Sequence, residues 1–257
     1  VSFNTKRLLV DCINSITGNT KGIKYEIVIV DNASDDDSVD ALSGLKSQNL
    51  SIDLTIIKNN RNLGFAKANN QGIKKARGHF ILLLNSDTFI TSNLLAEMVS
   101  WMDENPNVGI STCALRNRDG SFQGTGGYFP TLIRVFSWML IQDIPFVDKI
   151  IKPFHPAHPK SFYKGLGFYN KKKELDWVTG AFFLIRRKVI DQIGFLDEDY
   201  FMYVEEVDYC FRTKRSGWHI WYLPNWSVVH LGGESSTKEF SLLSEFKGIK
   251  LFYKKFY

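Results

Sequence analysis

Two features of this 257-residue chain combine residue types that could do chemistry. The segment 197–208 holds six carboxylates and no basic residue. Six like charges in twelve positions repel one another unless a cation or a function holds them together, the plain alternative being a solvated acidic loop. On either side of it in sequence, Asp87 and His230 each close an apolar, strand-like run. Carboxylate oxygens plus one imidazole suit a hard divalent ion, Mn²⁺ or Mg²⁺, better than zinc. Such an ion commonly completes its shell with phosphate oxygens, so a diphosphate-bearing ligand is the natural expectation.

Other chemistries lack their residues. No G-x-G-x-x-G follows a strand, because Gly64, Gly72 and Gly78 are too far apart. Gly18 to Gly22 is followed by Ile23 and fails the P-loop spacing. The acidic run from Asp31 to Asp40 lacks the central glycine of a calcium loop and has Leu42 at its twelfth position. No G-x-S-x-G elbow is present. Cys12, Cys113 and Cys210 are odd in number and widely spaced, which argues against a disulfide scaffold or zinc ribbon and for a reducing, cytoplasmic setting.

The elements that must position these residues follow from periodicity. Apolar runs at 25–30, 52–57, 79–84 and 108–115 read as strands. Helical spacing recurs around Leu8 to Ile16, Val39 to Leu45, Phe65 to Ala76 and Leu94 to Met102. Continuous apolar strands alternating with amphipathic helices predict an α/β fold with a mostly parallel sheet covered on both faces. In such sheets ligands bind beyond the carboxyl ends of the strands. The residues there are Asp31-Asn32-Ala33-Ser34, the loop from Asn59 through Asn62 to Gly64, and Asn85-Ser86-Asp87. All three are short and polar, and three such loops on one edge predict a polar-ligand pocket.

The second half is less regular. The stretch 125–176 mixes aromatics, prolines and lysines without a clear period and reads as a long variable insertion, a mobile lid. A helix is expected from about Glu205 to Ser216, stopped by Gly217, then two strands at 218–223 and 226–230. The opening Val1-Ser2-Phe3 reads as the end of a truncated first strand.

Charge is uneven: 149–174 carries a net +6 and 236–257 a net +3, so the remainder of this +5 chain sums to −4. The lysines lack the arginine-rich or aromatic-interleaved pattern of a nucleic-acid binder. The longest apolar runs, about five to seven residues, are far short of the roughly 18 that span a bilayer.

Taken together, the blocks Val30-Asp31-Asn32-Ala33-Ser34, Asn62-Leu63-Gly64-Phe65-Ala66, Leu84-Asn85-Ser86-Asp87, Trp177-Val178-Thr179-Gly180-Ala181, Phe201-Met202-Tyr203-Val204-Glu205-Glu206-Val207-Asp208 and Val229-His230, with the Gly-Gly-Glu-Ser-Ser after it, resemble family 2 glycosyltransferases of the GT-A fold. Within that family the chain is most similar to bacterial rhamnosyltransferases that build surface polysaccharide. The resemblance implies a catalytic domain over 1–235, with a nucleotide-binding half (1–115) and an acceptor and catalytic half (116–235), followed by a basic amphipathic helix over 236–257.

It also implies roles. Asp31 corresponds to the aspartate that binds the base and ribose of a dTDP- or UDP-linked sugar, with Asn32, Ser34, Asn62, Gly64, Asn85 and Ser86 lining the donor. Asn85-Ser86-Asp87 stands where the family has its D-x-D metal motif, with Asn85 replacing the first aspartate; Asp87 and His230 would then hold the metal. Glu205-Glu206 falls on the family's E-D pair, making Glu206 the catalytic base, with Glu205 and Asp208 beside it. Trp177, Gly180 and Ala181 lie in the region of donor sugar and acceptor.

Chemistry supports these roles. Inverting transfer needs one base for the acceptor hydroxyl and a cation for the departing diphosphate. Neighbouring carboxylates would raise the base's pKa toward the useful range, and on a helix Arg212 can pair with Asp208. Each role has a plain competitor: Asp31 or Asp87 as a helix cap, His230 or Trp177 as core, Gly180-Ala181 as close packing. The departures at Asn85 and Glu206 keep open a non-catalytic nucleotide-sugar or glycan-binding module. The lysine-bearing tail reads either as a helix lying on an anionic membrane or as one packed on the domain. The resemblance implies a saccharide or lipid-linked acceptor, which tips that balance toward peripheral contact at the cytoplasmic face.

Overall fold

A computed structural model describes residues 1–48, 53–141, 144, 147–156, 167–232 and 238–257. Parts of the expected insertion (157–166) and of the Gly-Gly-Glu-Ser-Ser run (233–236) lie outside the described residues.

The first apolar runs become strands β1 (Ile27–Asp31), β2 (Leu54–Lys58), β3 (Phe80–Leu84), β4 (Thr88–Phe89) and β5 (Val108–Arg116). Helices α1 (Lys6–Asn19), α2 (Ser38–Gln48), α3 (Phe65–Lys75) and α4 (Leu94–Glu104) alternate with them. Next come β6 (Gly126–Gly127), α5 (Leu132–Phe136) continued by a π-helical turn at Ser137–Ile141, α6 (Val147–Ile150), β7 (Lys173–Glu174), β8 (Trp177–Val178) and β9 (Phe182–Arg186). The chain finishes with α7 (Arg187–Ile193), α8 (Glu205–Arg215), β10 (His219–His230) and α9 (Lys238–Phe256).

β1 and β2 pair in parallel, with Asp31 opposite Lys58. The larger sheet runs β3-β9-β5-β10-β4, with β7 also on β10. The α/β layering is as expected, but the sheet is mixed rather than mostly parallel. β9 lies antiparallel to both β3 and β5, β10 is parallel to β5, and β4 and β7 are antiparallel to β10. Continuous apolar runs report burial on both faces and say nothing about direction. Phe182, Phe183, Leu184 and Ile185 of β9 are all buried, yet that strand runs against its neighbours.

The strands expected at 218–223 and 226–230 form one strand, β10, whose register with β5 shifts between Leu223 and Ser227. Pro224 falls there; it has no N–H for the ladder and marks the irregularity. Nor is the stretch 125–176 only a lid, because Phe154, Phe168, Tyr169 and Leu175 belong to the main core. The tail is committed in the same way. Ile249 and Phe252 of α9 are buried in that core, and Phe252 meets the rings of Phe211 and Phe256 at 5.3 and 4.9 Å.

A cavity of about 760 Å³ lies between β1 and β3, lined by Ile13, Ile27, Ile29, Leu82 and Leu83 among others. Among the described residues β1 pairs with β2 and β3 with β9, so each presents an unpaired edge there. Ser2 closes one end, donating its amide to the Val30 carbonyl and accepting from the Asn32 amide. Asp31, Asp87, His230 and the α8 carboxylates do not line this cavity. This cavity is therefore not the candidate site.

Candidate active site

The loops beyond β1 and β2 form one hydrogen-bonded unit. Asn32 is buried, and its carboxamide Oδ1 accepts from Asn59 Nδ2 (3.1 Å) and the Leu63 amide (3.0 Å). Its Nδ2 donates to Asn62 Oδ1 (2.8 Å) and the Gly64 carbonyl (3.3 Å). Two donors and two lone pairs are thus spent, and Asn32 ties the two loops together rather than reaching a ligand. Asn62 Oδ1 also accepts from the Gly64 amide. Ser34 accepts from the Asn4 amide through Oγ and donates its own amide to Asp31 Oδ2 at 3.1 Å.

Asp31 differs from its neighbours. It is 2% exposed, and its Oδ1 is buried with no hydrogen-bond partner among the described residues. A buried acceptor of this kind is costly unless something donates to it. A ribose hydroxyl or a base N–H has the required chemistry.

The same loop grips the acidic segment. The Phe65 amide donates to the Phe201 carbonyl at 2.7 Å. Gly64 makes this possible: at φ 82°, ψ 177° it occupies a region essentially reserved for glycine, and a Cβ there would stand 2.4 Å from that carbonyl oxygen. Two residues on, Tyr203 (φ 70°) and Val204 (φ 73°) are both left-handed. For non-glycine residues such strain persists only where the surroundings over-determine it. The surroundings do so here, because Gly248 of α9 lies so close that a Cβ on it would come within 2.7 Å of Val204. The strained turn aims the first residues of α8.

Those residues are Glu205 and Glu206. Of the six carboxylates in 197–208, four have partners. Asp197 and Asp199 both meet Lys255 of α9. Glu198 accepts from Asn70 at 3.1 Å, and Asp208 pairs with Arg212 at 2.7 Å, as the i,i+4 spacing predicted. Asp208 also accepts from the Tyr200 hydroxyl and is fully buried, so it serves as a structural ion pair and not as a free carboxylate at the reaction centre.

Glu205 and Glu206, by contrast, each have a buried Oε2 with no partner among the described residues. Burial, then repulsion from Glu206, raises the Glu205 carboxyl well above its usual range. Burial also raises Glu206, to about 7, with repulsion from Glu245 of α9 adding to it. Glu245 is itself held by His155, at 2.6 Å. Two adjacent buried carboxyls do not both ionise cheaply. Glu205, the more buried, keeps its proton, and Glu206 is left to exchange one near neutral pH.

A second cluster forms where β4 pairs with the end of β10. His230 Nε2 stands 3.3 Å from Asp87 Oδ1 and 3.3 Å from Asn85 Nδ2. Gln123 Nε2 donates to the His230 carbonyl (2.6 Å) and to Asn117 Oδ1 (2.7 Å), so its Oε1 faces His230 Nδ1 at 2.7 Å. That oxygen can only accept, so Nδ1 carries a proton and the ring is held with Nε2 toward Asp87. An imidazole nitrogen oriented by an outer hydrogen bond, facing a carboxylate oxygen, has the ligand types that suit a divalent cation. Burial raises the Asp87 carboxyl, but the hydrogen bond and charge of His230 and the Gly232 amide (3.0 Å) outweigh it and hold it ionised below its usual pKa. Among the described residues no group of three or more His, Cys, Asp or Glu gathers as a full cage. Ser86 is occupied by Thr5, at 3.0 Å.

The remaining expected residues divide. The Ala181 carbonyl accepts from the Asn85 amide at 3.1 Å, and Gly180 lies against the Phe65 ring, where a Cβ would meet it at 3.0 Å. Ala181 therefore borders the 85–87 loop, and Gly180 borders the start of α3 after the 59–64 loop. Trp177 belongs to the core at 6% exposure, its indole N–H on the Tyr128 carbonyl and its ring against Phe154 and His155. Gln123, Glu245, Gly248 and Lys255 were not foreseen. Each acts through a partner more than 35 residues away, and no local spacing signals that.

A family model described as "Glycosyl transferase family 2" matches residues 1–194, and the chain belongs to that family. It is 29% identical over 135 residues to the N-acetylglucosaminyl-diphospho-decaprenol L-rhamnosyltransferase of Mycobacterium tuberculosis, covering 52% of this chain and 41% of that protein. It is 22% identical over 185 residues to the rhamnosyltransferase WbbL of Escherichia coli, covering 69% and 64%. The chain thus spans about half the length of the curated relatives it matches. Among solved structures, the mannosyltransferase PcManGT from Pyrobaculum calidifontis, in complex with GDP-Man and Mn²⁺, superposes with a TM-score of 0.63 at 17% identity, over 93% of this chain and 57% of that one. The fold is that of the GT-A glycosyltransferases.

Proposed function

We propose that this family 2 member transfers a sugar, with inversion, from a nucleoside diphosphate donor to a saccharide or lipid-linked acceptor during surface polysaccharide synthesis, and that the donor is dTDP-rhamnose. The observation that carries the reading is the buried, unpartnered carboxylate pair at the start of α8, with Glu206 titrating near neutrality. A binding module has no use for a carboxylate held at that cost. A general base works best with a pKa near the working pH.

In this reading Asp31 accepts from the nucleoside through its Oδ1. Asp87 and His230 would hold Mn²⁺ or Mg²⁺, which when bound supplies positive charge for the departing diphosphate. Glu206 takes the proton of the acceptor hydroxyl. The hydroxyl oxygen forms its bond to the anomeric carbon from the face opposite the diphosphate. The carbon–oxygen bond to the diphosphate breaks, and its electron pair leaves with the nucleoside diphosphate. Glu205 stays protonated and keeps Glu206 from meeting a second negative charge. Solved neighbours carry GDP-Man with Mn²⁺ and UDP-GlcNAc, and two curated relatives are named rhamnosyltransferases, which supports the donor class and favours the sugar.

The test is release of nucleoside diphosphate from dTDP-rhamnose, with Mn²⁺ and an N-acetylglucosaminyl-diphospho-lipid, by the wild type and by Glu206→Gln. The expected result is acceptor-dependent release by the wild type and loss of at least a thousandfold in the variant, with the donor-induced thermal shift retained. Donor binding without release by the wild type would point to the binding module. Normal release by Glu206→Gln would overturn the base.

A further inference from the structure

Residues 132–141 are built inside-out with respect to water. Within the continuous helical stretch 132–141 the only polar residues are Arg134 and Ser137, and both turn inward. Arg134 donates to the Phe129 carbonyl and pairs with Asp176, and Ser137 is 4% exposed. Trp138 also points in, stacked near Phe154 and His155. Facing outward are Leu132 (74% exposed), Ile133, Phe136, Met139 and Leu140 (67%). Ile144 and Ile150 (84%) continue the exposed apolar set. A solvated helix places its polar residues where this one places leucine and isoleucine.

The surface does not stop at the insertion. Trp138 meets Phe246 of α9 at 5.7 Å between ring centroids, and Leu242 and Leu243 on the same turn of α9 are exposed. Contiguous apolar surface of this extent marks an interaction site. From Leu243, the exposed Lys247, Lys250 and Lys254 follow at spacings of four, three and four, one stripe along the outer side of α9, and Lys152 stands exposed beyond Ile150.

We propose that this face docks the protein on an anionic bilayer, with the exposed apolar residues of 132–141, Ile144, Ile150 and those of 242–246 seated at the headgroup boundary and the lysine stripe on the lipid charges. No described helix is long and apolar enough to cross a membrane, so the contact is interfacial, an apolar face with a cationic margin. Charge selects a lipid surface over a second copy of the chain. The margin of the face presents the exposed Lys152, Lys247, Lys250 and Lys254, and a symmetric dimer would set these like charges against themselves. The face also reaches the site region through the ring sequence Phe246, Trp138, Phe154, Trp177, with centroids 5.7, 5.7 and 5.5 Å apart. Docking there would bring a membrane-borne acceptor toward Gly180 and Ala181, a consequence that rests on the transferase reading.

The experiment is co-sedimentation of the full chain with vesicles of phosphatidylcholine alone or with about one-third phosphatidylglycerol. The comparison is with the triple variant Ile133→Ser, Phe136→Ser, Leu140→Ser, whose sites are all exposed. The wild type should partition at least tenfold better onto the anionic vesicles, and the triple variant should lose at least tenfold of that. The variant should keep the wild-type circular dichroism, melting temperature and donor-induced thermal shift. A wild type that stays in the supernatant, or a triple variant that pellets equally well, overturns the proposal. So does a wild-type dimer in sedimentation velocity that the triple substitution abolishes, because the face would then belong to a second copy. Vesicle binding needs no donor, so loss of docking leaves the transferase reading standing, and absence of any donor shift leaves the docking result standing.

Discussion

Replacing Glu206 with glutamine should abolish turnover and stabilise the fold, and both effects come from one cause. Burial raises this carboxyl from 4.5 to about 7, with Glu245 adding repulsion, and its Oε2 has no compensating partner among the described residues. A carboxyl whose folded-state pKa is raised binds its proton more tightly folded than unfolded. Below the unfolded pKa both states are protonated and nothing is lost. As pH rises from about 4.5 to 7 the unfolded state ionises first and stability falls; above about 7 the full cost is present. At 1.36 kcal/mol per unit that cost is about 3 kcal/mol. Glutamine cannot ionise. Urea unfolding should therefore find Glu206→Gln more stable than the wild type by up to about 3 kcal/mol at pH 8, with the two converging near pH 4.

The same group should shape the rate. In the wild type, kcat/KM should fall about tenfold per pH unit below 7, so that pH 5 retains roughly a hundredth of the plateau. Glu245→Gln should move this limb to lower pH by removing the smaller of the two causes, and Glu205→Gln should leave it in place, because Glu205 is already neutral. A limb near pH 4.5 together with equal stabilities at pH 8 would refute the reasoning, since an ordinary solvated glutamate behaves that way.

Other substitutions test the supports of the site. Gly64→Ala forces a Cβ to 2.4 Å from the Phe201 oxygen in a glycine-only backbone region and should cost about 3 kcal/mol or more in urea unfolding while lowering turnover; a neutral effect would dissociate the loop from the base. Asp31→Asn should weaken donor binding roughly tenfold to a hundredfold by calorimetry with little change in melting temperature, because it alters the Oδ1 acceptor, which has no hydrogen-bond partner among the described residues. Chelation should abolish the donor-induced thermal shift, and added Mn²⁺ should restore it. Gln123→Leu should raise the metal concentration needed for half-restoration by about tenfold to a hundredfold, since Gln123 orients His230; an unchanged midpoint would argue against His230 as a ligand.

Much of the fold is legible in the residues, and the limits of that legibility have physical causes. The strands ending at Asp31, Lys58 and Leu84 announce themselves by β-branched or leucine-rich runs, and α8 by its spacing and by Gly217 after it. Burial on both faces produces those runs whichever way a strand points, so β9 could not be told from a parallel strand. Turn residues were read as sites because they are polar. Asn32 shows the weakness of that inference: its four bonds are closed inside the loops, whereas Asp31 beside it keeps an open oxygen. Residue type alone cannot separate the two; the count of satisfied valences does.

The acidic segment carries the argument furthest. As sequence it is one anomaly, six carboxylates without a cation, and repulsion offered the single choice between a function and a solvated loop. In the fold it divides by the distance from which its partners come. Arg212 lies four residues away and was foreseeable, whereas Lys255 arrives from α9 to hold both Asp197 and Asp199, which no periodicity could have shown. Partners hold four members as a scaffold, and that scaffold, with Gly64 on one side and Gly248 on the other, holds Tyr203 and Val204 in a turn neither would choose alone. The strain has a use because of the two members left over. Among the described residues Glu205 and Glu206 each keep a buried Oε2 without a partner, and a carboxyl held where its charge is poorly solvated is a carboxyl that will accept a proton at neutral pH.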